Sequence, residues 1–386
     1  MATSVYSHTQ YSGIWNISSQ AGAVAVSTWP YPPGPRLFSW GANPSGELGL
    51  GNTTYYSSPK QVGSLTVWSM VNTGTECMAS IKTNGTLWIW GKNNLGQLGL
   101  GNRTYYSSPK QLGALTNWSN ITFSAASTIA VKTDGTLWSW GGNDFGQLGL
   151  GNTTSYSSPK QVGSLTAWLK IAGNNYAVGS IKTDGTLWTW GRNQFGKLGL
   201  SNTTNYSSPK QVGALTNWAS ISYGAHFCLA IKTDGTLWSW GQGTNGSLGL
   251  GNITNYSSPK QIGALTTWSV LGAGGNSSYS IKTDGTLWSW GLNGNGELGI
   301  GNITYYSSPK QVGSLTTWSV IGARTSSCSA IKTDGTLWSW GRNHNGQLGL
   351  GNTTDYSSPK QVGSLTVWTK ISNSGIGNNS LAIAVV

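Results

Sequence analysis

The sequence predicts an all-β fold, a closed seven-bladed β-propeller with about four antiparallel strands per blade, its N- and C-terminal strands pairing to close the ring. Three observations predict it. The segment GNTTYYSSPKQVG at 51–63 returns as GNRTYYSSPKQLG at 101–113, and again every fifty residues up to GNTTDYSSPKQVG at 351–363. Each period holds β-prone runs separated by a glycine turn, as in TIAVKT, Asp134-Gly135, TLWSWG. No stretch of the period shows helical spacing of apolar residues. One such unit buries too little surface to fold alone, so its copies must pack on one another. Gly41, Gly91, Gly141, Gly191, Gly241, Gly291 and Gly341 open seven equivalent loops, which gives seven blades.

Reading from Asn117, WSNITF is a short β-prone run and forms the first strand. The small residues AAS turn the chain into TIAVKT, the second. Asp134-Gly135 then reads as a two-residue type I′ hairpin turn, which needs positive φ at both central residues. TLWSWG is the third strand; Trp138 and Trp140 are two apart, share one face and wedge between blades. The Gly- and Asn-rich stretch that follows crosses to the next blade, and in its copy Gly96, Gly99 and Gly101 permit close approach. PKQVG closes the period as a short outer strand, with proline at its first position suited to an edge. An open β-solenoid is the rival architecture, but its coils are shorter than this period.

The ends of the array are half-repeats. VWTKISNSGIGNNSLAIAVV stops where the next glycine turn and LWSWG strand are due, and Arg36–Trp40 is the LWSWG equivalent at the other end. Closure therefore pairs Leu381–Val386 with Arg36–Trp40 and removes exposed sheet edges. This divides the chain into 1–34, an N-terminal arm or extra strands with the Pro-rich linker WPYPPGP at 29–35, and 35–386, the propeller. The apolar run Ala23–Val26 in the arm either pairs along the last blade or docks onto a neighbouring subunit by edge addition.

Composition excludes several classes. Only 8% of the 386 residues are charged, while 56 Gly and 22 Trp mark a folded chain. The net charge of +12 is dispersed, since thirteen of the Lys recur with the repeat, as Lys60 and Lys132 do. Such rings attract polyanions weakly and supply no arginine reader of base edges, so specific nucleic-acid binding is not expected. Cys228 and Cys328 hold equivalent positions in separate units, which rules against a disulfide framework. The opening residues lack a basic stretch leading into an apolar run, and no window approaches a membrane-spanning length, so neither signal peptide nor membrane span is expected. The recurrent N-x-[ST] matches read as turn residues. His8, His226 and His344 lie apart, Glu47, Glu76 and Glu297 are lone, and most Asp sit in turns. No nucleophile with its base, metal-ligand spacing or phosphate loop appears, so the sequence implies no enzyme, cofactor or metal.

The loop GKNNLGQLGLGN at 91–102 and the run AVKTDGTLWSWG at 130–141 resemble the regulator-of-chromosome-condensation repeats, over essentially 36–386. The resemblance implies a seven-bladed propeller. Its functions are diverse: a guanine-nucleotide exchange factor that also binds chromatin, a plant ultraviolet photoreceptor, and secreted β-lactamase inhibitors. The exchange factor's inserted wedge has no counterpart among the uninterrupted fifty-residue periods, and the photoreceptor's Gly-Trp-Arg-His-Thr string is absent. The near-identical blades and low charge look instead like repeat-bearing structural proteins of phages.

Recognition must rest on positions that differ between copies. One set follows the first strand: Glu76, Asn175, Tyr176, Tyr223, His226 and Arg324. The other lies mid-loop: Leu95, Phe145, Phe195 and His344. The first set should sit near the axis on one face, and Phe145 and Phe195 are candidate aromatic anchors for a protein or glycan partner. The leading reading is a non-enzymatic structural or recognition protein of a virion, capsid or tail, whose partner is another virion protein or a neighbouring subunit. The alternative is an intracellular, cytoplasmic propeller module that binds protein or nucleic acid.

Overall fold

The computed structural model describes residues 34–372 and 377–386. Apart from Gly34 and Pro35, the expected arm, its strand and its linker lie outside the described residues. The described chain forms seven four-stranded antiparallel sheets arranged as a ring. Blade 1 runs from Trp68–Thr73 to Tyr106–Gln111, blade 2 from Trp118–Ser124 to Tyr156–Gln161, and blades 3 to 6 follow in chain order. In each of these the first strand is innermost and the last is outermost, as the contacts between first strands of adjacent blades show. Inner-strand residues such as Val71, Thr122, Ser222 and Tyr223 line a narrow axial cavity of about 190 Å³.

Blade 7 is built from both ends of the chain, in the order Trp368–Ile371, Asn379–Val385, Pro35–Gly41, Tyr56–Gln61. Arg36 pairs with Ala384, Phe38 with Ala382 and Trp40 with Ser380, so the predicted closure is observed. The blade also changes in composition. Phe38 and Ala384 stand where other blades carry a Trp and a Lys, and Phe38 packs edge-on against Trp368 at 5.3 Å.

Two local expectations are corrected. The Asp134-Gly135 turn is a three-residue loop and not type I′. Lys132 N–H donates to Thr136 O, Gly135 N–H donates to Lys132 O, and of residues 133–135 only Gly135 has positive φ. That pattern is a turn followed by a left-handed glycine, with the Asp134 carboxylate accepting from both the N–H and the hydroxyl of Thr136. The outer strand starts three residues before its proline, at Tyr156 in blade 2. Its register slips between Tyr156 and Lys160, so Pro159, which has no N–H to donate, lies in a bulge.

The core lies between blades and is built on tryptophan. Trp140 is fully buried, meets Trp118 edge-on at 5.9 Å and donates its indole N–H to Gln97 O of the preceding blade's loop. Trp40, Trp90, Trp190, Trp240, Trp290 and Trp340 make the same bond at 2.7–3.0 Å. Each such ring removes on the order of 200 Å² from water and satisfies its only polar atom. The repeat-locked lysines lie on aromatic rings. Lys132 Nζ sits 3.9 Å from the Trp138 centroid, and Lys110 Nζ lies 5.3 Å from that of Tyr106.

Candidate functional site

The ring has two unlike faces. One carries the Asp-Gly turns and the returns to the next inner strand, tied by bonds such as Trp118 N–H to Gly85 O. These segments are nearly identical in every copy. The other carries the inner hairpin turns and the Gly-rich loops, tied by bonds such as Lys92 N–H to Glu76 O. Apart from the buried Tyr223 and Arg324, both variable sets fall on this second face, where each loop meets the inner turn of the following blade.

The two sets touch in one sector, over blades 2 to 4. Phe145, on the blade 2 loop, packs at 4.9 Å against Tyr176 on the blade 3 turn, and the Arg192 guanidinium lies 4.9 Å from the same ring. Phe195, on the blade 3 loop, meets His226 edge-on at 5.4 Å on the blade 4 turn. Asn175 donates to Ala225 O at 2.9 Å and approaches His226 Nδ1 at 3.4 Å, joining the two turns. A shallow cleft of about 730 Å³ opens beside these rings, lined by Phe145, Arg192, Phe195, Thr203, Asn205 and Asn255 among others.

The loop tips show why this sector differs. In five copies the N–H of the tip residue is accepted two residues on, as Leu95 by Gln97, Phe145 by Gln147 and Ser45 by Glu47. Asn295 and Asn345 are held likewise by Glu297 and Gln347. In the other two copies the position holds Lys197 or Ser247, neither of which supplies that acceptor. Those two tips, Phe195 and Asn245, turn left-handed at φ 63° and 61°. Lys197 is buried and reaches across to donate to Asn175 O at 2.6 Å and Ala225 O at 3.1 Å. Asn175 and Tyr176 also have positive φ, 43° and 66°, so the two-residue inner turn of blade 3 has the backbone expected at the Asp-Gly turns.

Burial and Arg192 lower the Lys197 pKa to about 7. Burial, then Lys197 and Arg192, lower that of His226 to about 4.

The remaining sequence-named residues lie elsewhere. Glu76 is half-buried on blade 1, paired with Lys92 at 2.7 Å and accepting from Ser45 Oγ. Leu95 packs on Gly142, where an added Cβ would fall 3.0 Å from its Cδ1. His344 is exposed on blade 6, 3.2 Å from Asp355 and accepting from Arg342 Nε. Tyr223 and Arg324 are both only 1% exposed, so they are interior groups and not surface contacts. Tyr223 packs with Cys228, and Arg324 donates to Ser327 Oγ and Ser329 Oγ. Both side chains are buried, which comparison between copies does not distinguish from surface exposure. Arg192 and Lys197 were missed, although the Gln/Glu-to-Lys change at 197 is visible between copies. Among the described residues no group of three or more His, Cys, Asp or Glu could hold a metal ion.

A family profile described as RCC1-like domain matches residues 36–328, and one described as regulator of chromosome condensation (RCC1) repeat matches 334–377. Among solved structures, yeast RCC1 (Prp20) bound to Kap60 aligns with TM-score 0.80 and 19% identity, covering 92% of this chain and 89% of that one. Prp20p from Saccharomyces cerevisiae, described for its binding to Gsp1p and histones, gives the same score and identity over 92% of each chain. Human WBSCR16 aligns with TM-score 0.79 and 20% identity, over 91% of this chain and 98% of that one. No curated protein shows a significant sequence match. The family match overturns the likeness to phage structural proteins, and with it the virion function and localisation. Low charge and regular composition follow from tandem blades, in which charged residues hold a few fixed places per period, and do not indicate a particle. The chain belongs to the RCC1-like domain family.

Proposed function

We propose that the protein is a non-enzymatic propeller that binds a protein partner inside the cell through its loop face, centred on Phe145, Tyr176, Arg192, Phe195 and His226. One observation carries this reading. Tyr176 and Phe195, both on blade 3, hold bulky side chains at φ 66° and 63°, and each ring packs against a ring of a neighbouring blade on the loop face. Such backbone costs about 1–2 kcal/mol per residue, and stored strain of this kind concentrates at binding sites. Half-buried aromatic rings beside an arginine are also the composition of interface hot spots. The structurally similar yeast protein was solved with Kap60 and described as binding Gsp1p and histones, which supports a protein partner of that kind.

The test is biolayer interferometry of the full chain against purified Kap60, Gsp1p and histones. We expect saturable binding of at least one, weakened about tenfold or more by Phe145→Ala or Phe195→Ala with an unchanged unfolding midpoint. Absence of saturable binding to all three, or binding indifferent to both substitutions, would overturn the proposal.

A further inference from the structure

We infer that the Phe145–Arg192–Phe195 sector takes an acidic segment of its partner, a peptide placing an Asp or Glu carboxylate on the Arg192 guanidinium beside an apolar side chain. This rests on the docking reading above and specifies its chemistry.

Copy comparison within the ring supplies the argument. The loop position of Arg192 carries a cation in two other copies, Lys92 and Arg342. Lys92 has its counter-ion within the chain, Glu76 at 2.7 Å. Arg342 sits on His344, which is held by Asp355 at 3.2 Å. Around Arg192 both carboxylates are replaced. Tyr176 stands where Glu76 stands in blade 1, and Asn205 where Asp355 stands in blade 6. Asn205 is itself engaged, its Oδ1 accepting from Asn193 N–H at 2.8 Å.

No Asp or Glu lines the cleft, and among the described residues Arg192 forms no ion pair. Asp144, next to Phe145 in the chain, is exposed and not among the lining residues. A guanidinium lying on an aromatic ring keeps its N–H edge available for a bidentate carboxylate. Phe145 and Phe195 flank the spot with apolar surface. The missing carboxylate is the feature an acidic partner segment would restore.

The test uses fluorescence anisotropy of the full chain with labelled peptides of alternating Glu and Phe, Gln and Phe, and Lys and Phe, and a labelled single-stranded DNA. We expect the Glu peptide to bind best and to weaken with added salt. Arg192→Glu should weaken it about tenfold or more, while Lys310→Glu, on an outer strand, changes it less than about twofold. Equal loss from both substitutions would show attraction to overall charge and overturn the inference. Equal binding of the Gln and Glu peptides, lost on Phe145→Ala, would overturn the acidic specificity and leave the docking reading intact. Failure of every peptide, or tighter Arg192-dependent binding of the DNA, would also overturn it. The docking reading itself stands or falls on the purified proteins named above.

Discussion

Lys197 occupies a loop position where five of the seven copies place Gln or Glu, and one side chain there changes the backbone two residues earlier. Without an acceptor for its N–H, Phe195 turns left-handed and its ring comes to lie on His226. Lys197→Gln should restore the acceptor seen at Gln147, return the tip to the blade 2 geometry and shift the His226 ring resonances in NMR spectra. The substitution also has a pH signature. The folded-state pKa of about 7 lies below the unfolded value near 10.5. Between those two the unfolded chain binds more protons, so wild-type stability rises with pH across that window. The variant should therefore be the more stable by at least about 1 kcal/mol below pH 7, and the gap should close towards pH 10.5 in urea titrations. A gap independent of pH would show that Lys197 titrates alike in the folded and unfolded chain, with no depression of its pKa. Glu47 gives the opposite sign. Burial raises its pKa to about 7, so its contribution favours the fold below pH 4.5 and is lost as pH rises through 7. Glu47→Gln should leave stability unchanged at pH 4 and raise it at pH 8, measured in the same way.

At the scale of the element, two glycines carry each blade junction. A Cβ on Gly135 would fall 2.0 Å from Thr166 O, on the strand entry of the next blade, and its φ is +76°. A Cβ on Gly99 would fall 2.7 Å from Trp140 Nε1, displacing the indole from its bond to Gln97 O. Gly135→Val and Gly99→Ala should each destabilise by about 2–4 kcal/mol, read from chemical denaturation. Ser201 provides the contrast. It sits at φ 61° where the other six loops have Gly, and the added Cβ finds space, since the Gly101 equivalent meets nothing closer than 3.7 Å. Ser201→Gly should therefore stabilise by about 1 kcal/mol. A loss instead would show that the hydroxyl makes a compensating bond.

For the whole molecule, closure is the decisive contact, because blade 7 has two strands from each end of the chain. Deleting 379–386 removes the partner of Pro35–Gly41 and leaves two inner edges unpaired. The expected result is loss of the single cooperative unfolding transition and concentration-dependent association in sedimentation. Retention of one sharp transition would mean that blades 1 to 6 are stable without a ring.

The amino-acid sequence by itself determined the blade count, the strand order, the closure partners and the tryptophan core, because each is repeated at a fixed period and depends on local patterning. Gly99 was legible as a close-approach residue on the same grounds. The sequence also marked Phe145, Tyr176, Phe195 and His226 as candidates, since they differ from their copies. Only the tertiary structure decided that these four meet in one sector, because a loop touches the turn of the next blade across about thirty residues. It alone removed Tyr223 and Arg324 from the surface, since burial depends on neighbours in space, and it alone showed that Lys92 pairs with a carboxylate of the chain while Arg192 does not. It also set the three-residue glycine turn, because the hydrogen bond from Gly135 N–H to Lys132 O and the next blade's Thr166 carbonyl fix a backbone that the Asp-Gly pair alone leaves open.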